Sequence, residues 1–245
     1  MKKIENVVVY GDIHGCLDEF KALRKKLQIS SCDKEIVVGD FLNKGPKSLE
    51  TMQYLIKNSI SSVMGNNEEK ILSLHDKYKK DGKKALKKMK PWESLIVENI
   101  NDHELEFLKQ LPYFIKIENL TVVHGGIPLG VSLSDELDDK TKKQITLLRY
   151  YNKKMCPITW SDFEGRYRFW SEIYDGRDGF VIFGHHPFDE PKRDEYSVGI
   201  DTGCVYGEKL HAVKFKRKNS GKFKTKSYKI EYIESKKNYL KEYTT

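Results

Sequence analysis

Long apolar runs are missing. Nothing in the chain approaches the roughly 18 consecutive apolar residues of a membrane helix, so no membrane partner is expected. Cysteine is sparse: Cys16, Cys32, Cys156 and Cys204 stand far apart, with no CxxC pair. That spacing argues against a disulfide framework and against a thiolate zinc site, and it suits reduced cytosolic thiols. There is no internal repeat and no Pro/Ser linker. The opening Met1–Tyr10 carries only a short apolar stretch and reads as a first strand, not an export signal, so a cytoplasmic location is expected. Arginine is scarce beside lysine, and the lysines are dispersed, densest over 79–88 and after Lys214. An arginine-poor, aromatic-poor lysine run is more often a solvated helix face than a nucleic-acid groove. The net charge of +8, from 44 Lys+Arg against 36 Asp+Glu, therefore points to long-range attraction of anionic substrates, with nucleic acid not expected as a partner.

What is present is enough for one sizeable core: 38% apolar residues over 245 positions, with 11 Phe and 14 Tyr. Short β-branched runs alternate with amphipathic stretches. Residues 4–10 predict a strand and 18–27 a helix, with Leu17, Phe20, Leu23 and Leu27 on one side. Glu35–Val38 predicts a second strand, followed by a helix through Leu49, Met52 and Leu55. A third strand ends at Met64, and a third helix starts near Asn67. This βαβαβα order implies parallel strands with helical crossovers. From about 84 to 112 the pattern is helical, and Asn219-Ser220-Gly221 reads as a hairpin turn between strands at 211–217 and 222–232. The expectation is one mixed α/β domain over 1–245, with a helical cap inserted at about 75–118. Trp92, Trp160 and Trp170 read as core residues, and His103 and His211 as ordinary surface residues.

Each strand ends in glycine plus a side chain able to bind metal. Tyr10 leads into Gly11-Asp12-Ile13-His14-Gly15, and Val38 into Gly39-Asp40-Phe41-Leu42-Asn43-Lys44-Gly45. Met64 leads into Gly65-Asn66-Asn67-Glu68, Val123 into His124-Gly125-Gly126, and Phe183 into Gly184-His185-His186. Ligands of α/β sheets collect beyond the carboxyl ends of the strands, where these loops belong. One such junction means little; five in one chain point to a metal centre. Carboxylate and amide oxygens mixed with imidazole suit Mn, Fe, Zn or Co. Two ions sharing a carboxylate can clamp a phosphoryl group and generate hydroxide near neutral pH.

These segments resemble the metallophosphoesterase superfamily, in its phosphoprotein-phosphatase branch, whose pattern is GDxHG, GDxxDRG, GNHE, HGG or HAG, and GH. Ile200-Asp201-Thr202-Gly203-Cys204-Val205-Tyr206-Gly207 is similar to a further segment of bacterial Ser/Thr phosphatases and symmetrical diadenosine-tetraphosphate hydrolases. The resemblance implies a four-layer αββα sandwich. It also implies two divalent metal ions, manganese first, with iron, zinc, cobalt or nickel as alternatives. Asp12 and His14 would hold the first metal and Asp40 would bridge, while Asn66, His124 and His185 would complete the second. Arg149 resembles the family's phosphate-contacting arginine, with Arg166 or Arg168 as alternatives. The implied substrate is a phosphorylated one, a nucleotide polyphosphate or a phosphoprotein.

Three departures fall on one functional unit. The GNHE histidine that protonates the leaving group is Asn67 here, the aspartate that orients it is Asn43, and the neighbouring phosphate-binding arginine is Lys44. An orienting aspartate without its histidine would only add negative charge near a phosphate, so the two asparagines read as a coordinated loss. General-acid assistance is typically worth about 10²–10⁴ in rate. Serine alkoxide needs that proton; the leaving group of an anhydride or aryl ester needs it far less. The expectation is a phosphohydrolase with a weakened acid site, His186 or His75 being the side chains that could replace the lost donor. The competing expectation is a metal-loaded, catalytically impaired relative that binds phosphate or protein.

Overall fold

The computed structural model describes residues 4–134, 136–158 and 167–243. Its frame is a pair of five-stranded sheets stacked face to face. In the first, β1 (Asn6–Tyr10), β2 (Asp33–Val37) and β3 (Ser61–Ser62) run parallel. The antiparallel β12 (Lys209–Lys216) pairs with β1 on the other side, and β13 (Lys229–Glu234) pairs with β12. In the second sheet, β9 (Phe180–Phe183) lies centrally, parallel to β5 (Leu120–Val123) and β11 (Ser197–Gly199). Antiparallel β4 (Phe114–Ile117) and β10 (Lys192–Asp194) close its edges. A small third sheet joins β6 (Tyr150–Tyr151) to β7 (Pro157–Ile158) and β8 (Arg168–Phe169).

Side-chain alternation explains why the central strands β1, β5 and β9 are almost wholly apolar. Val7 and Val9 point into the layer between the sheets, where they meet Leu120, Val122, Ile182 and Phe215. Val8 and Tyr10 point the other way, onto Phe20 and Leu23 of α1 (Leu17–Leu27) and Met52 and Leu55 of α2 (Ser48–Lys57). Val181 and Phe183 pack outward against Trp170 and against Ile145 of α7 (Asp139–Leu147). Both faces of both sheets are thus covered, which is the four-layer αββα arrangement, and strands covered on both faces carry no polar stripe.

The stretch after α3 (Asn66–Asp81) is helical, but as three pieces: α4 (Lys83–Leu86), α5 (Pro91–Asn99) and α6 (Asp102–Lys109). Pro91 stands at the start of α5. Asn101 and Glu104 form a reciprocal capping box at α6, each side chain accepting the other's backbone N–H at 2.9 Å. Their apolar faces, with Ile96, Val97, Leu105 and Leu108, join the same cluster as α1 and α2. Trp170 is buried, as expected, and Trp92 is half-buried; Trp160 lies outside the described residues.

The predicted hairpin turn is present, with the Gly221 N–H donating to Lys218 O at 3.0 Å. The returning strand starts at Lys229 instead of 222, because Phe223 is drawn into the inter-sheet core. Asn119 fixes it there, accepting the Phe223 N–H at 2.7 Å and donating to its carbonyl at 3.1 Å. Among the described residues no helix is long and apolar enough to cross a membrane.

Ile182 is fully buried between the sheets on the central strand. Ile182→Ala should destabilise the fold by about 2–5 kcal/mol. Urea unfolding should show this as a lower midpoint with unchanged slope.

Candidate metal centre

The carboxyl ends of β1, β2, β3, β5 and β9 face one point at the rim where the two sheets meet. Asp12 and His14 follow β1, and Asp40 follows β2. Asn66 opens α3 after β3, while His124 and His185 follow β5 and β9. His14, Asp40 and His185 have φ of 45°, 49° and 70°, in the left-handed region that ordinary side chains avoid. Such strain persists where surrounding structure enforces it, and it clusters at functional sites. Here the enforcement is close backbone contact: a Cβ on Gly45 would run into the His14 carbonyl.

The buried donors form two triads. Asp12, His14 and Asp40 make one; Asp40, His124 and His185 make the other. Within each, the ligand atoms lie within 4.8 Å of one another, and Asp40 belongs to both. Backbone carbonyls set the rings: His14 Nδ1 donates to Leu42 O at 2.9 Å and His124 Nδ1 to Val38 O at 2.8 Å, so each Nε2 faces the centre. Asn66 Oδ1 lies 3.1 Å from His124 Nε2. His185 Nε2 is buried without a hydrogen-bond partner among the described residues. Burial first, then His124 and Arg149, hold this imidazole well below its usual pKa, so it offers a lone pair. A neutral imidazole with nothing to bond, beside shared carboxylates, fits a divalent cation.

The family model of the calcineurin-like phosphoesterases matches residues 5–233. The chain belongs to this family. It is a metal-dependent phosphohydrolase. An asymmetrical bis(5'-nucleosyl)-tetraphosphatase, PrpE, of Oceanobacillus iheyensis is 29% identical over 86% of this chain and 88% of its own length. A symmetrical bis(5'-nucleosyl)-tetraphosphatase of Pseudomonas putida is 28% identical, over 80% and 85%. In fold, a Ser/Thr protein phosphatase from Saccharomyces cerevisiae superposes with a TM-score of 0.61 at 15% identity, over 95% of this chain and 80% of the other.

Of the phosphoesterase's departures from the motif, Asn67 lies in direct contact with Asp40 and Asn43 reaches it through Asn67. Asn67 donates its backbone N–H to Asp40 Oδ1 at 2.9 Å and its side-chain amide to Asp40 Oδ2 at 2.5 Å. Asn43 donates its amide to Asn67 Oδ1 at 2.8 Å. The two amides make a chain that ends on Asp40 and contains no titratable proton. His186 sits instead among Tyr150, Phe169 and Phe188, with Nε2 3.3 Å from the Tyr150 hydroxyl. Burial, then Arg149 and Lys192, pull it down to about 4, so it is neutral at pH 7. His75 lies two turns further along α3, about 12 Å from Asn67 at 1.5 Å per residue, in the angle between α3 and α6.

Of the arginines, Arg149 reaches the centre: it donates to His185 O at 3.1 Å and interacts electrostatically with Asp201, Asp40 and Asp12. Arg168 stands exposed on β8, and no hydrogen bond or ion pair among the described residues ties it to the ligands. Arg166 lies outside the described residues. The Lys44 ammonium donates to His14 Nε2 at 2.9 Å and to the Tyr206 hydroxyl at 3.1 Å. His103 is exposed as expected, but His211 is not: it is 2% exposed on β12, with Nδ1 2.7 Å from Thr202 Oγ1. The alternation of β12 turns it inward, and Thr202 gives it a partner.

Two acids escaped the sequence reading. Glu68, fully buried, accepts from the backbone N–H groups of Asp40 (2.7 Å), Leu42 (3.0 Å) and Gly65 (3.1 Å), and so clamps the β2 loop to the start of α3. Its spacing from Gly65 is that of a capping box, the signal that could have revealed it. Asp201, two residues past β11, accepts from Gly203 N at 3.0 Å and repeats the strand-end placement of Asp12 and Asp40.

Charge and protons are coupled here. Burial, then Asp40, push the Glu68 carboxyl up from 4.5 to about 8. Burial opposes the charge on His124, but Asp40, Asp12 and Glu68 outweigh it and raise the imidazole from 6.5 to about 9. Both groups hold a proton more tightly folded than unfolded, so each loses stabilisation as pH rises to its folded pKa. His14, pulled down to about 3 by burial and Lys44, stays neutral in both states above pH 7 and adds no slope there. Chelator-treated protein should therefore lose stability between about pH 7 and pH 9. Each kcal/mol would move the thermal midpoint by about 2–4 °C. Added Mn should raise that midpoint more at high than at low pH, since protons and cations compete for the same donors. A metal-free midpoint flat across this range would contradict the coupling.

Proposed function

We propose that this phosphoesterase hydrolyses phosphoanhydride bonds of dinucleoside polyphosphates at a binuclear centre held by Asp12, His14, Asp40, Asn66, His124 and His185. When bound, two divalent cations would neutralise phosphoryl oxygens and acidify the attacking water. Arg149 can fork onto two phosphoryl oxygens. Lys44 offers a point charge where the family motif has a fork, and it binds one oxygen at a time.

The observation that carries the proposal is the Asn43–Asn67–Asp40 amide chain. Asn67 can orient a leaving oxygen but cannot give it a proton. His186 is neutral in its aromatic box, so it does not replace the missing acid. A centre of this kind favours leaving groups that depart as stable anions, which a nucleotide does and a serine alkoxide does not. The names of the bacterial relatives, bis(5'-nucleosyl)-tetraphosphatases of both the asymmetrical and the symmetrical kind, point the same way.

With Mn supplied, kcat should fall from bis(5'-adenosyl) tetraphosphate to p-nitrophenyl phosphate to a phosphoserine peptide. The last step should be at least about 10²-fold, the low end of general-acid assistance. Equal and fast turnover of anhydride and phosphoserine would overturn the proposal. Asp40→Asn should abolish turnover of all three, because the shared ligand is lost. The double variant Asn43→Asp/Asn67→His should raise kcat on the phosphoserine peptide by about 10²-fold and leave the anhydride rate nearly unchanged.

A further inference from the structure

Helix α7 presents Lys140, Lys143, Gln144 and Leu147 on one face, at the i, i+3, i+4, i+7 spacing of a helical stripe. This face does not pack into the core; Ile145 and Thr146, on the opposite side, do. Facing it, Pro157 and Ile158 of β7 form the second wall of an open groove of about 290 Å³, floored by Leu148. Ligand pockets commonly span about 300–1,000 Å³. The open groove lies at the lower edge of that range, with room for a group of about nucleoside size.

Two further features fix what fits. Among the described residues the lining contains cations and no carboxylate: Lys140 and Lys143 are exposed, and Arg149 follows Leu148 at the end of α7. Arg149 is also the residue that bonds the His185 carbonyl at 3.1 Å and faces Asp12, Asp40 and Asp201. One side chain thus lines the groove and also faces the buried acids, which joins the two by a single cation.

We infer that the groove between α7 and β7 is the subsite for one nucleoside of a dinucleoside polyphosphate, an inference that rests on the function proposed above. The base lies against Leu147, Leu148, Pro157 and Ile158, and the Gln144 amide bonds its polar edge. Arg149 meets the phosphates between the base and the scissile bond, and Lys140 and Lys143 add positive charge at the rim. The long-range attraction of the basic chain for anions is here given a local address.

The test separates the groove from the chemistry. ADP and inorganic phosphate are titrated calorimetrically into Mn-loaded wild type and into Leu147→Asp, Lys143→Glu and Ile158→Asp, with circular dichroism confirming the fold of each variant. Leu147 is 41% exposed, so its replacement removes little core. The expected result is a Kd for ADP weakened at least tenfold in each variant, with the Kd for phosphate unchanged. The KM for bis(5'-adenosyl) tetraphosphate should rise in parallel, and kcat/KM for p-nitrophenyl phosphate should stay at the wild-type value. ADP binding no tighter than phosphate in wild type, or weakened no more than phosphate in the folded variants, would overturn the subsite. If wild type turned over only phosphopeptides while ADP binding still depended on the groove, the subsite would stand and the proposed reaction would fall.

Discussion

Four carboxyl groups, at Asp12, Asp40, Glu68 and Asp201, sit together in the interior, none more than 5% exposed. Burying even one charge is costly unless it is paired, and much of the surrounding structure supplies partners. Burial opposes ionisation of Asp40, yet His124, His14 and Lys44 hold it well below the usual carboxylate range. Burial, then Asp201, push Asp12 well above that range. Two carboxyls of one triad are thus driven in opposite directions, Asp40 by its cationic neighbours and Asp12 by burial and like charge. The parallel strands, the left-handed ligand residues and the backbone donors to Glu68 all bring like charges together and hold them.

The sandwich explains why this convergence is possible. Three strands of one sheet and two of the other end at the same rim, so the ligands come from both sides of an apolar layer. The layer is a continuous buried cluster with residues from both sheets, and the loops spring from it. Helix α7 adds a second tie: the Ile145 carbonyl accepts the N–H groups of Gly125 and Gly126, at 2.7 and 3.1 Å, directly after His124. The groove and His124 therefore share one anchor.

The candidate donors that the structure gathers were legible as a set because each is announced locally, by glycine at the end of an apolar run. Glu68 was harder to see, since its task depends on backbone groups of a loop 26–28 residues away. His211 shows the same limit: nothing beside it in the chain reveals that Thr202 waits in the interior. Phe223 was mistaken for strand because its attraction to the inter-sheet core is a long-range contact through Asn119. Arg149 and Arg168 look alike on the page; only the path of the chain after α7 turns one toward the acids and leaves the other on an exposed strand.

The amide pair has a further meaning in evolutionary terms. The genetic code places aspartate a single base change from asparagine at position 43, and histidine a single base change away at position 67. Neither step is favourable alone. Asn43→Asp would bring another carboxyl beside the buried acids, facing the Asn67 oxygen with no proton between them. Asn67→His would remove the donor that Asp40 accepts at 2.5 Å and leave the new ring without an anionic partner to orient it. Each pair is satisfied only as a pair, so one substitution at either position leaves a buried polar group without its partner.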